Sequence, residues 1–238
     1  MNFEEFKKEW TKEYPESADK IAEEQMQKFF SYMELLLEWN QKMNLTAITD
    51  PKEIILKHFI DSMTISPYIE QEKKVIDVGT GAGFPGIPLA IICPNTSFTL
   101  IDALNKRISF LKEIVTKLQL SNVVVEHARA EDFAKENREK YDIATSRAVA
   151  NLPVLLEYLL PFVKKEGKCI CMKGPNIQEE LDEAKKAIAV LGGELEKVDY
   201  FHLMDTEIER NNVVIKKIKN TPLQYPRKSG IPSKNPIR

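Results

Sequence analysis

The stretch Val75-Ile-Asp-Val-Gly-Thr-Gly-Ala-Gly-Phe-Pro-Gly86 decides the fold of this chain. Its first part is apolar apart from one acid, Asp77, and glycines follow at three alternate positions, Gly79, Gly81 and Gly83. Glycine lets the backbone turn sharply and leaves no side chain between the backbone and a ligand. The stretch therefore predicts a buried parallel strand that ends in a ligand-binding turn and passes into a helix.

Two cofactor classes use such a turn. Gly81-Ala-Gly-Phe-Pro-Gly86 fits the dinucleotide pattern G-x-G-x-x-G, but the match begins after the additional Gly79 and places Pro85 where a helix would open onto a pyrophosphate. An acid two residues before the first glycine is instead similar to the first motif of Rossmann-like methyltransferases that use S-adenosylmethionine (SAM). A carboxylate at Asp77 suits the ammonium group of an amino acid. The motif favours SAM, with a nucleotide-binding protein or an NAD-dependent oxidoreductase as the alternative.

Length, charge and cysteine content narrow the class of protein. With 238 residues, the chain can form one large α/β domain and an appendage. No apolar stretch approaches the roughly 20 residues of a membrane span, and the acidic start is not a signal peptide. Three cysteines without a neighbouring histidine predict buried thiols, with neither disulfides nor a bound metal. We expect a cytoplasmic monomer that does not bind membranes.

The first 70 residues carry helical patterns. Apolar residues recur at helical spacing over 17–43. Asp50-Pro51-Lys52-Glu53 combines a capping acid with proline at the first helical position, so a further helix should begin there and run towards Pro67. We expect an N-terminal helical subdomain at 1–70, a SAM-binding domain at 71–220 and a tail at 221–238.

From Lys73 onward, strand-like and helical stretches alternate. Strands are predicted at 74–78, 97–102, 122–126, 141–146, 168–172, about 194–203 and about 211–218, and helices at 86–92, 105–119, 131–138, 151–163 and 176–191. Such alternation indicates βαβ units, and the last two strands follow each other directly, so one must be antiparallel. The prediction is the α/β, Rossmann-like SAM-dependent methyltransferase fold: a seven-stranded, mostly parallel sheet with one antiparallel strand and an N-terminal helical extension.

Residues at the carboxyl ends of these strands are the candidates for cofactor contact, because ligands bind at that edge of a doubly wound sheet. Asp102 ends the second strand and can accept hydrogen bonds from ribose hydroxyls, as an acid does in both NAD and SAM sites. Ala130, Glu131 and Asp132 follow the third strand and can meet adenine, although the two acids could equally cap the next helix. The pattern does not separate Glu131 from Asp132.

Two basic residues end the fourth and fifth strands, nearest the transferable methyl group. Arg147 can only donate hydrogen bonds, which suits a purine O6, a phosphate or the methionine carboxylate, while a structural salt bridge is the alternative. Lys173 is a second, weaker candidate. The chain has no Asn-Pro-Pro-Tyr turn of the kind that holds exocyclic amines, and carbon methylation would need a thiolate nucleophile.

The tail at 221–238 contains four prolines, no acid, and the basic residues Arg227, Lys228, Lys234 and Arg238. Because the whole chain has a net charge of −2, binding of nucleic acid should depend on such a local basic segment. We expect Tyr225 to stack on RNA and the basic residues to contact phosphates. The segment should add little to the core, so that deletion of 224–238 would leave the fold and SAM binding largely intact.

Read together, these motifs closely resemble the RsmG family, also called GidB or glucose-inhibited division protein B. The resemblance covers nearly the whole chain and rests on Trp39-Asn-Gln-Lys-Met-Asn-Leu-Thr46, His58-Phe-Ile-Asp-Ser62, Asp77–Gly86, Asp102-Ala-Leu-Asn-Lys-Arg107, Ala130-Glu-Asp132, Ser146-Arg-Ala148, Met172-Lys-Gly174 and the tail Tyr225–Lys234. It implies transfer of a methyl group from SAM to N7 of a guanine in the helix-18 loop of 16S rRNA, close to the decoding site. It also implies cofactor contacts at Gly79, Phe84, Ala130, Glu131 and Arg147.

The chemistry of guanine agrees with this resemblance. N7 carries a free lone pair at neutral pH, so no general base is needed to remove a proton. Catalysis then depends on aligning N7 with the methyl carbon and the sulfur. The expected partner is 16S rRNA or the small ribosomal subunit, whose target base must leave its stack.

Overall fold

A computed structural model describes all residues, 1–238, and its centre is a seven-stranded sheet. The strands lie in the order β3-β2-β1-β4-β5-β7-β6. Only β7 is antiparallel, pairing with β5 on one side and β6 on the other. The bounds are β1 Lys74–Val78, β2 Ser97–Asp102, β3 Val123–His127, β4 Tyr141–Arg147, β5 Val163–Lys173, β6 Gly193–His202 and β7 Glu209–Lys217. The predicted fold class is confirmed.

Helices cover both faces of the sheet. The longer ones are α1 Phe3–Glu13, α2 Glu23–Met43, α3 Gly86–Ile92, α4 Asn105–Lys117, α5 Ala130–Asn137, α6 Leu152–Leu159 and α7 Ile177–Val190. Short helical segments lie at Pro15–Ala18, Pro51–Ile54, Asp61–Met63, Ser66–Tyr68, Leu160–Phe162 and Ile231–Lys234, and a π-helix spans Ile55–Ile60. No helix has the length and apolar character that crossing a membrane requires.

The structure differs from the sequence-based element bounds in several places, of which two involve added residues. The chain forms α1, which the sequence analysis did not assign; Asn2 caps it reciprocally with Glu5, and Phe6 and Trp10 bury one face. Strand β5 begins five residues before the predicted 168, at Val163. Its added part is the charged run after Val163, which has no apolar alternation and includes Glu166 at a φ of 69°.

The N-terminal helices share a hydrophobic core with one face of the sheet. Phe6 and Trp10 of α1 and Tyr32 of α2 belong to the same buried cluster as Val75 of β1 and Phe98 of β2. A second cluster on the other face packs α5, α6 and α7 against the sheet. The N-terminal extension is therefore built into the core that supports β1 and the glycine turn.

The C-terminal segment packs against the second face, contrary to the expectation that it adds little to the core. Ile237 is buried in the second cluster, and Pro232 is buried as well. Arg227 forms a two-pronged ion pair with Glu157 of α6, which is almost completely buried. Arg138 donates hydrogen bonds to the backbone carbonyls of 221, 222 and 225. The expectation failed because prolines remove local periodicity, while tertiary contacts with α6 fix the segment.

Candidate active site

The glycine turn after β1 has the backbone geometry that its sequence predicts. Gly79, Gly81 and Gly83 adopt φ values of 70°, 63° and 101°. A Cβ atom at Gly79 would lie 2.7 Å from Cγ2 of Val149, whereas at Gly81 it would meet nothing within 4 Å. Gly79 thus permits a close packing contact, and Gly81 exposes its backbone to open space.

Asp77 lies directly beneath this turn and is buried. Its Oδ2 accepts hydrogen bonds from Thr80 Oγ1 at 2.6 Å and from Gly86 N at 2.9 Å. Its Oδ1 is buried without any hydrogen-bond partner. Burial raises the pKa of Asp77 to about 6, although the two hydrogen bonds act in the opposite direction. An incompletely satisfied carboxylate of this kind suits a cationic ligand group.

A cleft of about 450 Å³ opens above the turn, and we call it the cofactor cleft. Among the predicted site residues, it is lined by Gly79, Gly81, Phe84, Asp102 and Arg147. The other four, Asp77, Gly83, Ala130 and Glu131, do not line it. A Cβ at Gly83 would lie 2.7 Å from the Tyr32 hydroxyl, so this glycine faces the N-terminal helices.

Asp102 closes one end of the cofactor cleft. Its Oδ2 accepts from Gly81 N at 3.0 Å and from Arg107 Nη1 at 3.1 Å, and its Oδ1 accepts from Leu104 N at 2.9 Å. A carboxylate has about four acceptor positions, so Asp102 has room for a further donor. Ala128 N also donates to Asp102 O at 3.1 Å, which brings the start of α5 beside the end of β2.

The two acids at the start of α5 are distinguished by their surroundings. Glu131 is buried and makes no ion pair, whereas Asp132 is exposed and accepts a hydrogen bond from Lys135 at 2.7 Å. Glu131 is therefore the acid of the pair that is placed in the interior.

The π-helix Ile55–Ile60 brings the N-terminal segment to the opposite wall. π-helical turns are rare and often mark functional sites. The His58 ring stacks on Phe84 with centroids 4.3 Å apart, and its Nε2 lies 2.8 Å from Thr46 Oγ1. Burial, and then the positive charge of Arg147, lower the pKa of His58 to about 3. His58 is therefore neutral at physiological pH.

Arg147 is anchored by this same segment. Its Nη1 donates to Lys57 O and to Asp61 Oδ2, both at 3.0 Å, and its Nη2 lies 3.3 Å from His58 Nδ1. The guanidinium also lies 5.0 Å from the centre of the Phe84 ring. Because an arginine has five N–H hydrogens, Nε–H and one Nη2 hydrogen stay free for a ligand.

Asp61 links Arg147, at the end of β4, to Arg210 of β7. Its other oxygen, Oδ1, accepts from Arg210 Nε at 3.0 Å, so a carboxylate only 2% exposed bridges two arginines. Arg210 lies at the start of β7, which reaches this edge because it is antiparallel to β5.

A second cleft of about 520 Å³, the acceptor cleft, lies on the far side of this cluster. Lys57, Asp61, Lys173, Arg210 and Asn212 contribute to its lining. Three residues line both clefts, His58, Arg147 and Ala148, and we call them the shared wall. Ala148 has a φ of 57°, an uncommon conformation for a residue with a side chain and one that concentrates at functional sites.

Lys173, the second predicted catalytic residue, lies at the rim of the acceptor cleft. Its Nζ donates to Ala150 O at 2.9 Å and pairs with Glu180 at 2.6 Å. One of its three hydrogens remains available. The two predicted basic residues are therefore both at the acceptor cleft, and both are partly used by ion pairs, which the sequence analysis anticipated for Arg147 alone.

The sequence analysis did not assign roles to His58, Asp61 and Arg210. His58 and Asp61 lie in a predominantly apolar stretch that also holds Lys57 and Ser62, and polar residues in such a stretch are a signal that could have been used. Arg210 gave no local signal, because its importance arises from a contact with Asp61. The thiols of Cys169 and Cys171 are buried with their sulfurs 3.7 Å apart, and neither lines a cleft. No group of three or more His, Cys, Asp or Glu side chains is arranged to hold a metal ion.

Solved structures with a similar fold are methyltransferases. A SAM-dependent methyltransferase from Aquifex aeolicus matches with a TM-score of 0.53 and 19% identity, covering 74% of this chain and 97% of that one. TYW2 from M. jannaschii, solved in complex with AdoMet, matches with a TM-score of 0.55 and 20% identity, covering 68% and 76%. At these identities the likeness concerns the fold alone, which is that of the SAM-dependent methyltransferases.

The family follows from sequence similarity. The family described as GidB, rRNA small subunit methyltransferase G, matches residues 25–210. Ribosomal RNA small subunit methyltransferase G of Acetivibrio thermocellus is 56% identical over 220 residues, which are 91% of this chain and 90% of that protein. The protein of the same name from Alkaliphilus oremlandii is 54% identical over 222 residues, 92% and 93% of the two chains. The chain belongs to the rRNA small subunit methyltransferase G family and is a methyltransferase. The predicted family resemblance is therefore confirmed, and the oxidoreductase alternative is wrong.

Proposed function

We propose that this enzyme transfers a methyl group from SAM to N7 of a guanine in the helix-18 loop of 16S rRNA. The observation that carries the proposal is the shared wall between two clefts, formed by His58, Arg147 and Ala148. A methyl donor in one cleft and a base in the other would meet at this wall. The RNA partner and the base position follow from family membership.

The residues of the cofactor cleft fit SAM. Asp77, buried beneath the cleft with an unpartnered Oδ1, would act on the ammonium through the turn above it. Gly79 and Gly81 would allow the methionine portion to lie against the backbone, with Phe84 beside it. Asp102 would accept from the ribose. Ala130 and Glu131, at the start of α5 beside Asp102, would meet the adenine.

The acceptor cleft fits a base that needs no deprotonation. Bound SAM supplies an electrophilic methyl group on a positively charged sulfur, and guanine N7 offers its lone pair directly. The neutral His58 has a pKa near 3 and is a weak base, and both oxygens of Asp61 are held by arginines. The groups with free hydrogens are cationic donors, which suit guanine O6 or a phosphate and leave the N7 lone pair free to attack the methyl group.

Arg147 and Lys173 would orient the acceptor. Arg147 is the stronger candidate, because it lies in the shared wall and keeps Nε–H and one Nη2 hydrogen. Lys173 would add one donor from the rim. Alignment of N7, carbon and sulfur by such contacts is the main contribution that this site can make to the rate.

The direct test is to incubate the purified protein with SAM and undermethylated small subunits or 16S rRNA and to map the modified base. One 7-methylguanosine in the helix-18 loop is the expected result. Methylation of an exocyclic amine, of a carbon atom or of a different loop would overturn the proposal. Calorimetric titration with SAM and with NADH should give micromolar binding of SAM only.

A matched pair of glycine substitutions tests the cofactor cleft. Gly81→Leu places a side chain in open space above the turn, whereas Gly230→Leu is a control with a comparable positive φ of 82° and equally open surroundings. Both variants carry similar backbone strain, but only Gly81→Leu should lose SAM affinity. Equal SAM binding by the two folded variants would remove the glycine turn from the site.

A further inference from the structure

A third cavity, of about 320 Å³, adjoins the acceptor cleft, and we call it the side groove. Arg210 lines both cavities. The remaining walls of the side groove come from the start of α7 and from the β6–β7 hairpin, with Asn176, Gln178 and Tyr200 among them. The two cavities therefore meet at one arginine.

Arg210 is held in a fixed position and still has free donors. Its Nε donates to Asp61 Oδ1 at 3.0 Å, and its Nη1 donates to Glu209 O at 3.0 Å. Asp61 is in turn fixed by Arg147 on its other oxygen. Three of the five N–H hydrogens of Arg210 make no bond within the protein. A planar guanidinium that is already oriented, with paired donors to spare, is well suited to a phosphate.

Tyr200 presents a stacking surface at the far side of the groove. Its side chain is 64% exposed, although it is a large aromatic residue, and it stacks on no other ring. It lies opposite Asn211 in the β6–β7 pairing, so its side chain projects from the sheet face opposite to that of Arg210, and both residues line the groove. Exposed aromatic faces bind unstacked bases without strong sequence preference.

The polar residues of the groove divide it into two parts. Asn176 and Gln178 offer amide groups that can pair with a base edge. Glu209 is the only acid that lines the groove, and it would repel a phosphate placed beside it. Because side chains alternate along β7, Glu209 projects from the same sheet face as Tyr200, and Arg210 projects from the other. The Arg210 side therefore suits the phosphate, and the Tyr200 side suits an uncharged base.

From this arrangement we infer that the side groove binds the nucleotide adjacent to the methylated guanine. The connecting phosphate lies on Arg210, and the neighbouring base stacks on Tyr200. Arg210 lies between the two cavities, where the phosphodiester that joins two bound nucleosides would lie. The inference rests on the proposed RNA substrate, and it assigns single-stranded RNA of at least two nucleotides to this face of the enzyme.

The test uses Arg210→Gln and Tyr200→Ala in the full-length protein. Glutamine can still donate an amide hydrogen towards Asp61 but removes the charge. We expect Arg210→Gln to raise the KM for RNA about tenfold and to reduce the salt slope of RNA binding by about one. Tyr200→Ala should raise KM by roughly tenfold, the effect of losing one stacked base, without changing the salt slope. Tyr200→Phe keeps the ring and should recover the KM lost in Tyr200→Ala.

Lys165→Ala is the matched charge control, because this exposed lysine lines a separate cavity with Lys73 and Asp142. It should keep the wild-type KM and salt slope. SAM affinity, measured by calorimetry, should be unchanged in every variant. RNA affinity is measured separately from methylation, so that the result does not depend on which base is modified.

Wild-type KM and salt slope in Arg210→Gln, or wild-type KM in Tyr200→Ala, would overturn the inference. A fall in kcat alone for Arg210→Gln would also overturn it, since Arg210 would then act only by positioning Asp61 and Arg147. Absence of 7-methylguanosine in RNA treated with the wild-type enzyme would instead refute the proposed function, and the RNA affinities of the variants would still test the groove.

Discussion

Two buried carboxylates, Asp61 and Glu157, hold arginines on opposite faces of the sheet, yet only the arginines of the Asp61 cluster border the clefts. Asp61 bridges Arg147 and Arg210, and both arginines border cavities with unused N–H groups. Glu157 receives Arg227 alone.

The Glu157 cluster lines none of the clefts described above, and we call it the closed cluster. Arg227 directs Nε, Nη2 and its backbone N–H at the same carboxylate, at distances between 2.6 and 3.2 Å. The Cζ atom of the Arg227 guanidinium lies 5.9 Å from the centre of the Tyr225 ring. The same pairing of arginine with carboxylate therefore fixes a chain segment in one place and prepares a ligand site in the other. Free donors beside a cavity make the difference.

The largest effect should come from Arg147→Ala. Loss of the guanidinium removes donors from the shared wall and leaves Asp61 with one partner, so kcat/KM should fall by at least about 100-fold, equivalent to roughly 3 kcal/mol of transition-state stabilisation. Arg147→Lys keeps the charge without the planar fork and should recover only part of the activity. Steady-state kinetics on small subunits, with circular dichroism and denaturant titration as the folding controls, measures both. Wild-type turnover by Arg147→Ala would show that the Asp61 cluster has only a structural role.

Arg227→Ala should show the reverse behaviour. It leaves Glu157 buried and unpaired, which costs about 3 kcal/mol of unfolding free energy. Methylation per folded molecule should stay within about twofold, provided that the tail serves mainly to stabilise the fold. Denaturant titration provides the measurement, and Lys228→Ala, at an exposed residue without an ion pair, should change stability by less than about 0.5 kcal/mol. Equal stability of the two variants would show that the closed cluster does not hold the segment.

A smaller effect, on the pH dependence of the unfolding free energy, should come from His58 beside the Asp61 cluster. Its pKa is lowered to about 3 in the folded protein, against an ordinary value near 6.5, so the unfolded chain binds more protons between these values. The stability due to neutral His58 is therefore complete above about pH 6.5 and is lost as the pH falls towards 3. His58→Gln should abolish this contribution, on the order of a few kcal/mol at most.

The quantity to measure is the difference in unfolding free energy between wild type and His58→Gln at several pH values. Taking the difference cancels the contributions of other groups to the unfolding free energy. Asp77 is one of them: because its pKa is raised to about 6, its contribution to stability falls as the pH rises towards that value. A difference that stays constant from pH 7 to pH 4 would contradict the burial of a neutral His58.

The smallest effect on activity is expected for Cys169→Ala and Cys171→Ala. Both thiols lie in the core on the same face as Glu157, and burial raises the pKa of Cys169 well above its ordinary value. Each substitution should cost about 1 kcal/mol of stability and leave turnover per folded molecule unchanged. A folded but inactive variant would point to a thiolate nucleophile and to methylation at carbon.

The sequence predicted most of the backbone and little of the side-chain network. The strand at 74–78, the turn at Gly79–Gly83 and the helix at 86–92 were correct as predicted, because each depends on local residue types. Asp102 and Arg147 line the same cleft, as the convergence of strand ends at one edge of a parallel sheet predicts. The partners of Arg147 could not be found in this way.

Those partners depend on contacts between distant parts of the chain. Asp61 reaches Arg147 and Arg210 across 86 and 149 residues of sequence, and no local pattern encodes such a pairing. The expectation that the tail adds little to the core failed for the same reason, since Arg227 is separated from Glu157 by 70 residues. A basic, proline-rich segment looks alike whether it lies free or is held by a buried acid.

The reversed direction of β7 has a consequence for how the enzyme is made. Because β7 is antiparallel to β5, its first residues rather than its last lie at the ligand edge, and Arg210 enters the site there. Chains emerge from the ribosome with the N-terminus first and their early portions begin to fold during synthesis. Asp61 and Arg147 are available early, but the cluster is completed only when the last strand has emerged. A nascent chain that ends before Arg210 therefore lacks one wall of the acceptor cleft.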